Sequence, residues 1–137
     1  MSKVTIWIKA ARLRTLPLSL SGIIVGSSIA ASQNAFDSLI FALALCTTVG
    51  FQIISNFAND YGDGMKGTDN KDRIGPERAL QSGEISPPAM LRAIKITGLI
   101  SALLALALIY VAFGTAHLFY SFLFVFLGLS SIYAAVK

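Results

Sequence analysis

Charged side chains are scarce in this sequence. Only 13% of its 137 residues are Asp, Glu, Lys or Arg, whereas soluble domains average about 25%. Three stretches, residues 15–36, 38–59 and 96–136, contain no charged residue at all. A soluble domain has no use for uncharged runs of this length, and a helix needs about 20 apolar residues to cross a bilayer. The scarcity of charge therefore excludes a soluble globular domain and predicts an all-α, polytopic membrane protein.

Cysteine is almost absent, which excludes two further classes. The single cysteine, Cys46, lies within an apolar run, so the chain can form neither a disulfide framework nor a zinc site built from cysteines. The net charge of +4 is compatible with nucleic acid binding, but the basic residues are not interleaved with aromatic ones. Membrane orientation explains the positive charge better.

Four membrane-spanning helices are predicted within a single membrane domain, residues 1–137. They cover residues 16–33, 36–60, 89–113 and 118–137. All eleven Lys and Arg residues fall on one side of this arrangement, because the two links on the other side, 32–36 and 114–117, contain none. By the positive-inside rule, the N-terminus and the 61–88 loop face the cytoplasm. A cleaved signal peptide is a less favoured interpretation of the first segment, because further apolar segments follow it.

Five polar residues of the second predicted helix share one face near its cytoplasmic end. They span an arc of about 100° and are Gln52, Asn56, Asn59, Asp60 and Asp63. Carboxylates at i and i+3 repel each other by about 3 kcal/mol at an effective dielectric of 20, and a helix C-terminus disfavours anions. A bound cation removes both objections, and oxygen ligands favour Mg²⁺, which usually binds one or two carboxylates plus substrate phosphates. The equally weighted alternative is a solvated helix end, with the aspartates paired to Lys66 or Arg73.

A loop rich in Gly and Pro is predicted over residues 61–88. Connections this long between packed helices are usually functional or disordered. Its basic residues could clamp phosphate oxygens, arginine bidentately; they are Lys66, Lys71, Arg73 and Arg78. For any one of them a solvated position is the simpler interpretation, whereas the whole set beside two aspartates favours a diphosphate clamp.

The wider pattern resembles the UbiA-type membrane prenyltransferases. Asn59-Asp60-x-x-Asp63 is similar to their first Asp-rich motif. Residues 56–83 and the segment Arg12-x-Arg14-Thr15-Leu16-Pro17 resemble the menaquinone branch of that family. The resemblance implies a Mg²⁺-dependent transfer of a polyprenyl chain from polyprenyl diphosphate to 1,4-dihydroxy-2-naphthoate, with release of diphosphate and CO₂. It also implies a multi-pass protein of the bacterial cytoplasmic (inner) membrane.

The same resemblance implies roles for individual residues. Asp60 and Asp63 would be catalytic and hold Mg²⁺, with Asn56 and Asn59 as further ligands or as orienting residues. Diphosphate would be contacted by Lys66, Asp69, Arg73 and Arg78. The aromatic substrate would lie near Arg12, Arg14 and Tyr61. The alternative for the two arginines is topological anchoring, and the alternative for the tyrosine is packing.

Two departures from the family pattern affect these expectations. A third acid often follows the second by four residues, but Gly67 occupies that position and Asp69 comes two later. Family members are also longer, with nine crossings and a second Asp-rich motif that this sequence lacks. Because the chain also ends on an apolar helix at Lys137, we expect it to be the N-terminal half of such an enzyme and inactive by itself.

Three other interpretations compete with this one. CDP-alcohol phosphotransferases carry a motif that opens Asp-Gly-x-x-Ala-Arg, whereas residues 63–68 read Asp-Gly-Met-Lys-Gly-Thr. A sibling aromatic prenyltransferase of the 4-hydroxybenzoate or haem O type is the nearer alternative. A non-enzymatic cation-binding membrane subunit should carry acidic residues in several helices, and the first, third and fourth predicted helices contain none.

Overall fold

The computed structural model describes residues 2–66 and 78–136. In those two ranges the chain is helical and contains no strand, so the predicted all-α class is confirmed. Five α-helices and one 3₁₀ turn follow one another: α1 Lys3–Ala11, the 3₁₀ turn Leu13–Thr15, α2 Leu16–Ser32, α3 Ser38–Lys66, α4 Pro87–Phe113 and α5 Leu118–Val136.

The short helix α1 is an element that the charge pattern does not predict. Ser2 caps it, because the Ser2 hydroxyl accepts a hydrogen bond from the Thr5 amide at 3.2 Å. The face of α1 that carries Trp7 packs on α3, where the rings of Trp7 and Phe57 meet edge-on with centroids 5.5 Å apart. The start of the chain is therefore held against the C-terminal part of α3.

A tight bend, residues 11–15, joins α1 to α2, and we call it the Arg12 turn. The backbone of Arg12 is left-handed, with φ 51° and ψ 52°, a conformation that non-glycine residues rarely adopt. The Thr15 hydroxyl donates a hydrogen bond to the Arg12 carbonyl at 2.9 Å. Pro17 then lies in the first turn of α2, where a missing N–H leaves no helical bond unmade.

Asp37 caps the N-terminus of α3. Its Oδ1 accepts hydrogen bonds from the amides of Leu39 and Ile40 at 2.8 and 2.9 Å. A carboxylate here satisfies free N–H groups and complements the helix dipole. Asp37 therefore has a structural role as a helix cap, and it lies at the opposite end of α3 from Asp60.

The helix α3 extends further than the predicted second helix. The predicted loop included residues 61–66, where glycine should weaken a helix, but these residues form the end of α3. Gly64 lies against Leu80, and a Cβ at Gly64 would be 2.2 Å from the Leu80 Cδ2. The missing side chain lets the following segment pack on the helix. The predicted loop start at 61 was therefore wrong, and α4 begins at Pro87 rather than at residue 89.

The helices α3, α4 and α5 form the main part of the bundle. α4 packs most extensively on α3, and α5 contacts both. The two helices α3 and α4 approach closely at Gly50, where a Cβ would lie 2.2 Å from the Oγ of the fully buried Ser101. The turn between α4 and α5 uses Gly114, whose φ is 55°, a value that glycine adopts without strain.

The buried core lies at one end of this bundle. Its members come from α1, α3, α4 and the segment before α4: Ala10, Ala11, Phe57, Ala79, Ile85, Met90 and Ile94. Over the rest of the long helices many large apolar side chains are exposed. In the described residues three helical segments are long and apolar enough to span a bilayer, and a fourth is shorter: Lys3–Ser32, Ser38–Lys66, Pro87–Phe113 and Leu118–Ser131. Exposed apolar surface on helices of this length identifies a membrane protein.

Candidate functional site

Two aspartates lie one turn apart near the C-terminal end of α3. The side chain of Asp60 is 2% exposed and that of Asp63 is 41% exposed. A carboxylate buried to this degree is stable in its charged form only when cations or hydrogen-bond donors surround it. Two arginines from distant parts of the chain supply that charge.

The first of these arginines is Arg12. Its Nη2 forms an ion pair with Oδ1 of Asp60, across a sequence separation of 48 residues. The Arg12 turn therefore places a guanidinium directly on the buried carboxylate. The sequence prediction instead placed this side chain near the aromatic substrate.

The second arginine, Arg78, bridges the end of α3. Its Nη1 forms an ion pair with Oδ2 of Asp63 and also donates a hydrogen bond to the backbone carbonyl of Asn59 at 3.1 Å. Its Nε lies 3.5 Å from Oδ1 of Asp60. Its side chain is only 12% exposed. One guanidinium thus contacts both aspartates, and we call Arg12, Asp60, Asp63 and Arg78 the Asp–Arg cluster.

The formal charges of the Asp–Arg cluster balance, with two positive and two negative groups. Two carboxylates one turn apart repel each other, and the two guanidiniums offset that repulsion. Arginine binds carboxylate and phosphate oxygens with the same planar donor geometry. The cluster can therefore exchange a carboxylate partner for a phosphate oxygen without leaving an arginine unpaired.

Asn56 lies one turn before Asp60 on the same face of α3. It is buried, and its Nδ2 donates a hydrogen bond to the backbone carbonyl of Ala11 at 2.8 Å. The same nitrogen lies 3.5 Å from the hydroxyl of Thr15. The structure thus gives this predicted metal ligand a contact with the Arg12 turn. Asn59, three residues later, has an exposed side chain, and its backbone carbonyl accepts a hydrogen bond from Arg78.

The fifth polar residue of the predicted face, Gln52, links α3 to α2. The hydroxyl of Ser19 donates a hydrogen bond to its Oε1. A polar seam therefore runs along the face of α3 from the Asp–Arg cluster toward the centre of the helix. Because unsatisfied polar groups are costly inside a membrane, each member of such a seam needs a partner.

The other predicted site residues lie outside the Asp–Arg cluster. Arg14 and Lys66 are exposed, and Tyr61 is half-buried and packs against the core. Asp69 and Arg73, predicted to contact diphosphate, lie outside the described residues, as does Lys71. Of the predicted diphosphate ligands that the structure describes, it brings Arg78 to the aspartates and leaves Lys66 apart.

The donor set of the cluster fits Mg²⁺ only in combination with further ligands. Within the described ranges no three His, Cys, Asp or Glu side chains lie close enough to hold a metal ion between them. Asp60 and Asp63 offer two hard carboxylates, and Mg²⁺ commonly takes one or two carboxylates together with waters and substrate phosphates. A closed protein cage is thus absent from this part of the chain, whereas a shared site completed by a diphosphate fits these residues.

Sequence reasoning missed the pairing between Arg12 and Asp60. The signal available was indirect: a buried acid needs a cation, and Arg12 lies one residue after the short helix α1. That helix could have been recognised from Ser2 as a cap, followed by apolar residues at helical spacing, Ile6, Trp7 and Ala10. Without α1, nothing directed the Arg12 side chain to α3.

Comparison with known proteins gives one family. The sequence matches the UbiA prenyltransferase family over residues 19–136. It is 46% identical over 136 residues to 1,4-dihydroxy-2-naphthoate octaprenyltransferase of Escherichia coli (strain K12), covering 99% of this chain and 44% of that protein. The protein of the same name from Haemophilus influenzae is 40% identical over 136 residues, again with 44% of its length covered. The chain thus spans less than half the length of these curated relatives.

More distant relatives carry the same name. The 1,4-dihydroxy-2-naphthoate octaprenyltransferase of Mycobacterium tuberculosis is 37% identical over 108 residues, which is 79% of this chain and 37% of that protein. No solved structure matches the chain.

Proposed function

The chain belongs to the UbiA prenyltransferase family, and from that membership we propose that the intact protein transfers a polyprenyl group from polyprenyl diphosphate to 1,4-dihydroxy-2-naphthoate. The ring carbon that carries the carboxylate would bond to the allylic carbon and lose CO₂, so the products would be demethylmenaquinol (the reduced form of demethylmenaquinone), diphosphate and CO₂. The acceptor is proposed because several relatives between 37% and 46% identical carry the name of that transferase. The competing acceptors are those of sibling family members, such as 4-hydroxybenzoate.

The observation that carries this proposal is the Asp–Arg cluster. A buried aspartate, a second aspartate one turn later and two arginines converge at one end of an otherwise apolar bundle. Ionisable groups at such a position in a membrane protein mark functional sites by default. Carboxylates for a metal together with guanidiniums for phosphate oxygens suit a metal–diphosphate complex.

In the proposed reaction the allylic C–O bond breaks and its electron pair leaves with the diphosphate. Mg²⁺ held by Asp60 and Asp63 would supply a Lewis acid that neutralises this developing charge. Arg78 would move from the carboxylates to the phosphate oxygens, so that its charge acts where negative charge develops. Because Arg12 pairs with the buried Asp60, it would keep that carboxylate in place during the exchange.

The acceptor and the prenyl tail would approach from different sides. The exposed Arg14 lies just beyond the Arg12 turn, where its guanidinium could meet the carboxylate of a naphthoate at the membrane surface. The exposed apolar faces of the long helices give the prenyl tail a lipid-side route. The basic residues of the polar end would place the cluster on the cytoplasmic side of the inner membrane.

The proposal is tested by replacing each aspartate in the intact protein. Asp60→Asn and Asp63→Asn should each lower the rate of Mg²⁺-dependent prenyl transfer by about a hundredfold or more, because a metal ligand is lost. Asp37→Asn makes the same chemical change at the far end of α3, where Asn is an equally good cap, and should leave the rate unchanged. Normal turnover in either cluster variant, with normal membrane insertion, would remove the basis of the proposal.

A competition experiment tests the acceptor. The intact protein receives dihydroxynaphthoate and 4-hydroxybenzoate together, with one polyprenyl diphosphate, and the two prenylated products are quantified. We expect the naphthoate product alone to accumulate. Preferential prenylation of 4-hydroxybenzoate would keep the family assignment and replace the proposed acceptor.

A further inference from the structure

Two side chains hold the Arg12 turn, and the proposed chemistry uses neither of them in this way. Nδ2 of Asn56 donates to the carbonyl of Ala11 at 2.8 Å, and the Thr15 hydroxyl donates to the carbonyl of Arg12 at 2.9 Å. Side chains thus donate to the carbonyls of two consecutive residues at the end of α1, and the Arg12 carbonyl also accepts a hydrogen bond from the Thr15 amide at 2.9 Å. Both bonds act on backbone atoms, so they fix the path of the chain.

The conformation of Arg12 explains why such bonds are needed. Its left-handed backbone is unfavourable for a residue with a Cβ and persists only where the surroundings hold it. An end of α1 without partners would leave helix carbonyls unsatisfied in a partly buried place. The Asn56 side chain satisfies the Ala11 carbonyl, and the Asn56 and Thr15 side chains together hold the left-handed turn.

The same helical face that holds the backbone of Arg12 also receives its side chain. Asn56 and Asp60 are four residues apart on α3 and therefore lie one above the other. Asn56 holds the carbonyl before Arg12, and Asp60 pairs with the guanidinium of Arg12. Two successive turns of α3 thus contact both the backbone next to Arg12 and the Arg12 side chain.

We propose that Asn56 is a positioning residue, which through its N–H donor keeps the Arg12 turn in place so that Arg12 neutralises Asp60. It is not a Mg²⁺ ligand. Only the expected effect on catalysis rests on the proposed function. The hydrogen bonds that hold the turn are present in the protein without substrate. We assign Thr15 to the same task and give Arg12 a role toward Asp60 in place of the aromatic acceptor.

The substitution Asn56→Asp separates the two roles of Asn56. An aspartate keeps an oxygen that can bind a metal, but it lacks the N–H donor and places an oxygen against the carbonyl of Ala11. Thr15→Val removes the second bond with little change in shape, and Thr15→Ser keeps the hydroxyl as a matched control. The bonds after Arg12 and Arg14 report on the turn directly, through limited trypsin digestion of the intact protein followed by mass spectrometry.

We expect Asn56→Asp and Thr15→Val each to increase the rate of cleavage after Arg12 and Arg14 about fivefold or more, since each removes a hydrogen bond that holds the turn. Thr15→Ser should match the wild type. In transfer assays both variants should lose most of kcat, while the Mg²⁺ concentration that gives half-maximal rate stays unchanged.

The opposite result would identify Asn56 as a ligand. In that case Asn56→Asp would leave the cleavage rate within about twofold of wild type and would change the Mg²⁺ requirement. If Asn56→Asp fails to fold, Thr15→Val against Thr15→Ser decides: equal cleavage of these two proteins overturns the proposal. Cleavage is measured without substrate. If Asp63→Asn were fully active, the proposed catalytic site would be wrong, but the cleavage test of the Arg12 turn would remain valid.

Discussion

At the scale of single residues, spacing along one helix could be predicted and partners across the chain could not. The helical period places Asn56, Asp60 and Asp63 on one face of α3, as the structure has them. Which cations meet them depends on the left-handed backbone of Arg12 and on the packing of the segment that carries Arg78. Neither feature has a local sequence signal, so the arginine of the N-terminal segment was assigned to a different partner.

The role of Arg78 depends on the shape of its side chain. Its Nη1 meets Asp63 and the carbonyl of Asn59 while its Nε approaches Asp60, and a single ammonium cannot do all three. Arg78→Lys should therefore lower kcat/KM for polyprenyl diphosphate by about tenfold to a hundredfold. Arg92→Lys is the matched control, because Arg92 lies at the surface and its Nε donates to the Pro88 carbonyl of its own helix. Equal kcat/KM in the two variants would contradict the assigned role.

At the scale of helices, the uncharged runs predict most of the elements. Runs long enough to cross a bilayer gave α2, α4 and α5 close to their observed bounds, because burial in lipid demands continuous apolar sequence. Uncharged runs do not predict a helix that is short or that carries polar residues. The charge pattern missed α1, which is only nine residues long and contains two lysines. It also missed the last turns of α3, where Gly64 accommodates Leu80.

The helices α3 and α4 pack tightly at Gly50. A Cβ there would lie 2.2 Å from the Oγ of Ser101 and 3.1 Å from its Cβ, and the Cβ cannot rotate away. Gly50→Ala should therefore lower stability by about 1–3 kcal/mol, measured as a lower melting temperature of the purified protein. Gly98→Ala, where a Cβ meets nothing within 4 Å, should raise it slightly, since Ala stabilises helices by about 0.5–1 kcal/mol over Gly.

A second substitution checks that the clash causes this loss. Ser101→Gly removes the opposing side chain, so the double variant should recover part of the lost stability. If the effects of Gly50→Ala and Ser101→Gly on melting temperature are simply additive, the two residues are not in contact and the described helix packing is wrong.

At the scale of the whole molecule, charge distribution predicts orientation, and chain length limits function. The basic residues of α1, of the Arg12 turn, of the end of α3 and of the first turns of α4 lie toward the end of the helices that carries the Asp–Arg cluster. From the positive-inside rule we propose that this end is cytoplasmic. The chain covers 44% of the length of its Escherichia coli and Haemophilus influenzae relatives. Activity is therefore proposed for the intact protein. We expect the 137-residue chain by itself to show no prenyl transfer.

Orientation can be tested with single cysteines. In a protein with Cys46 replaced by Ala, Lys66→Cys lies at the end of α3 and His117→Cys in the turn before α5. A membrane-impermeant maleimide added to intact cells should label the cysteine at 117 and not the one at 66. After the cells are opened, both should react. Labelling of position 66 from outside would reverse the proposed orientation and place the Asp–Arg cluster on the wrong side for cytoplasmic substrates.

Whether the Asp–Arg cluster binds a metal–diphosphate complex can be measured directly. A polyprenyl thiolodiphosphate, which resists ionisation, is titrated into the intact protein in nanodiscs with and without Mg²⁺. We predict saturable binding that requires Mg²⁺, is weakened at least about tenfold by Asp63→Asn and is unaffected by Asp37→Asn. Equally tight binding without Mg²⁺, or in the Asp63→Asn protein, would contradict the claim that this cluster holds a metal–diphosphate complex.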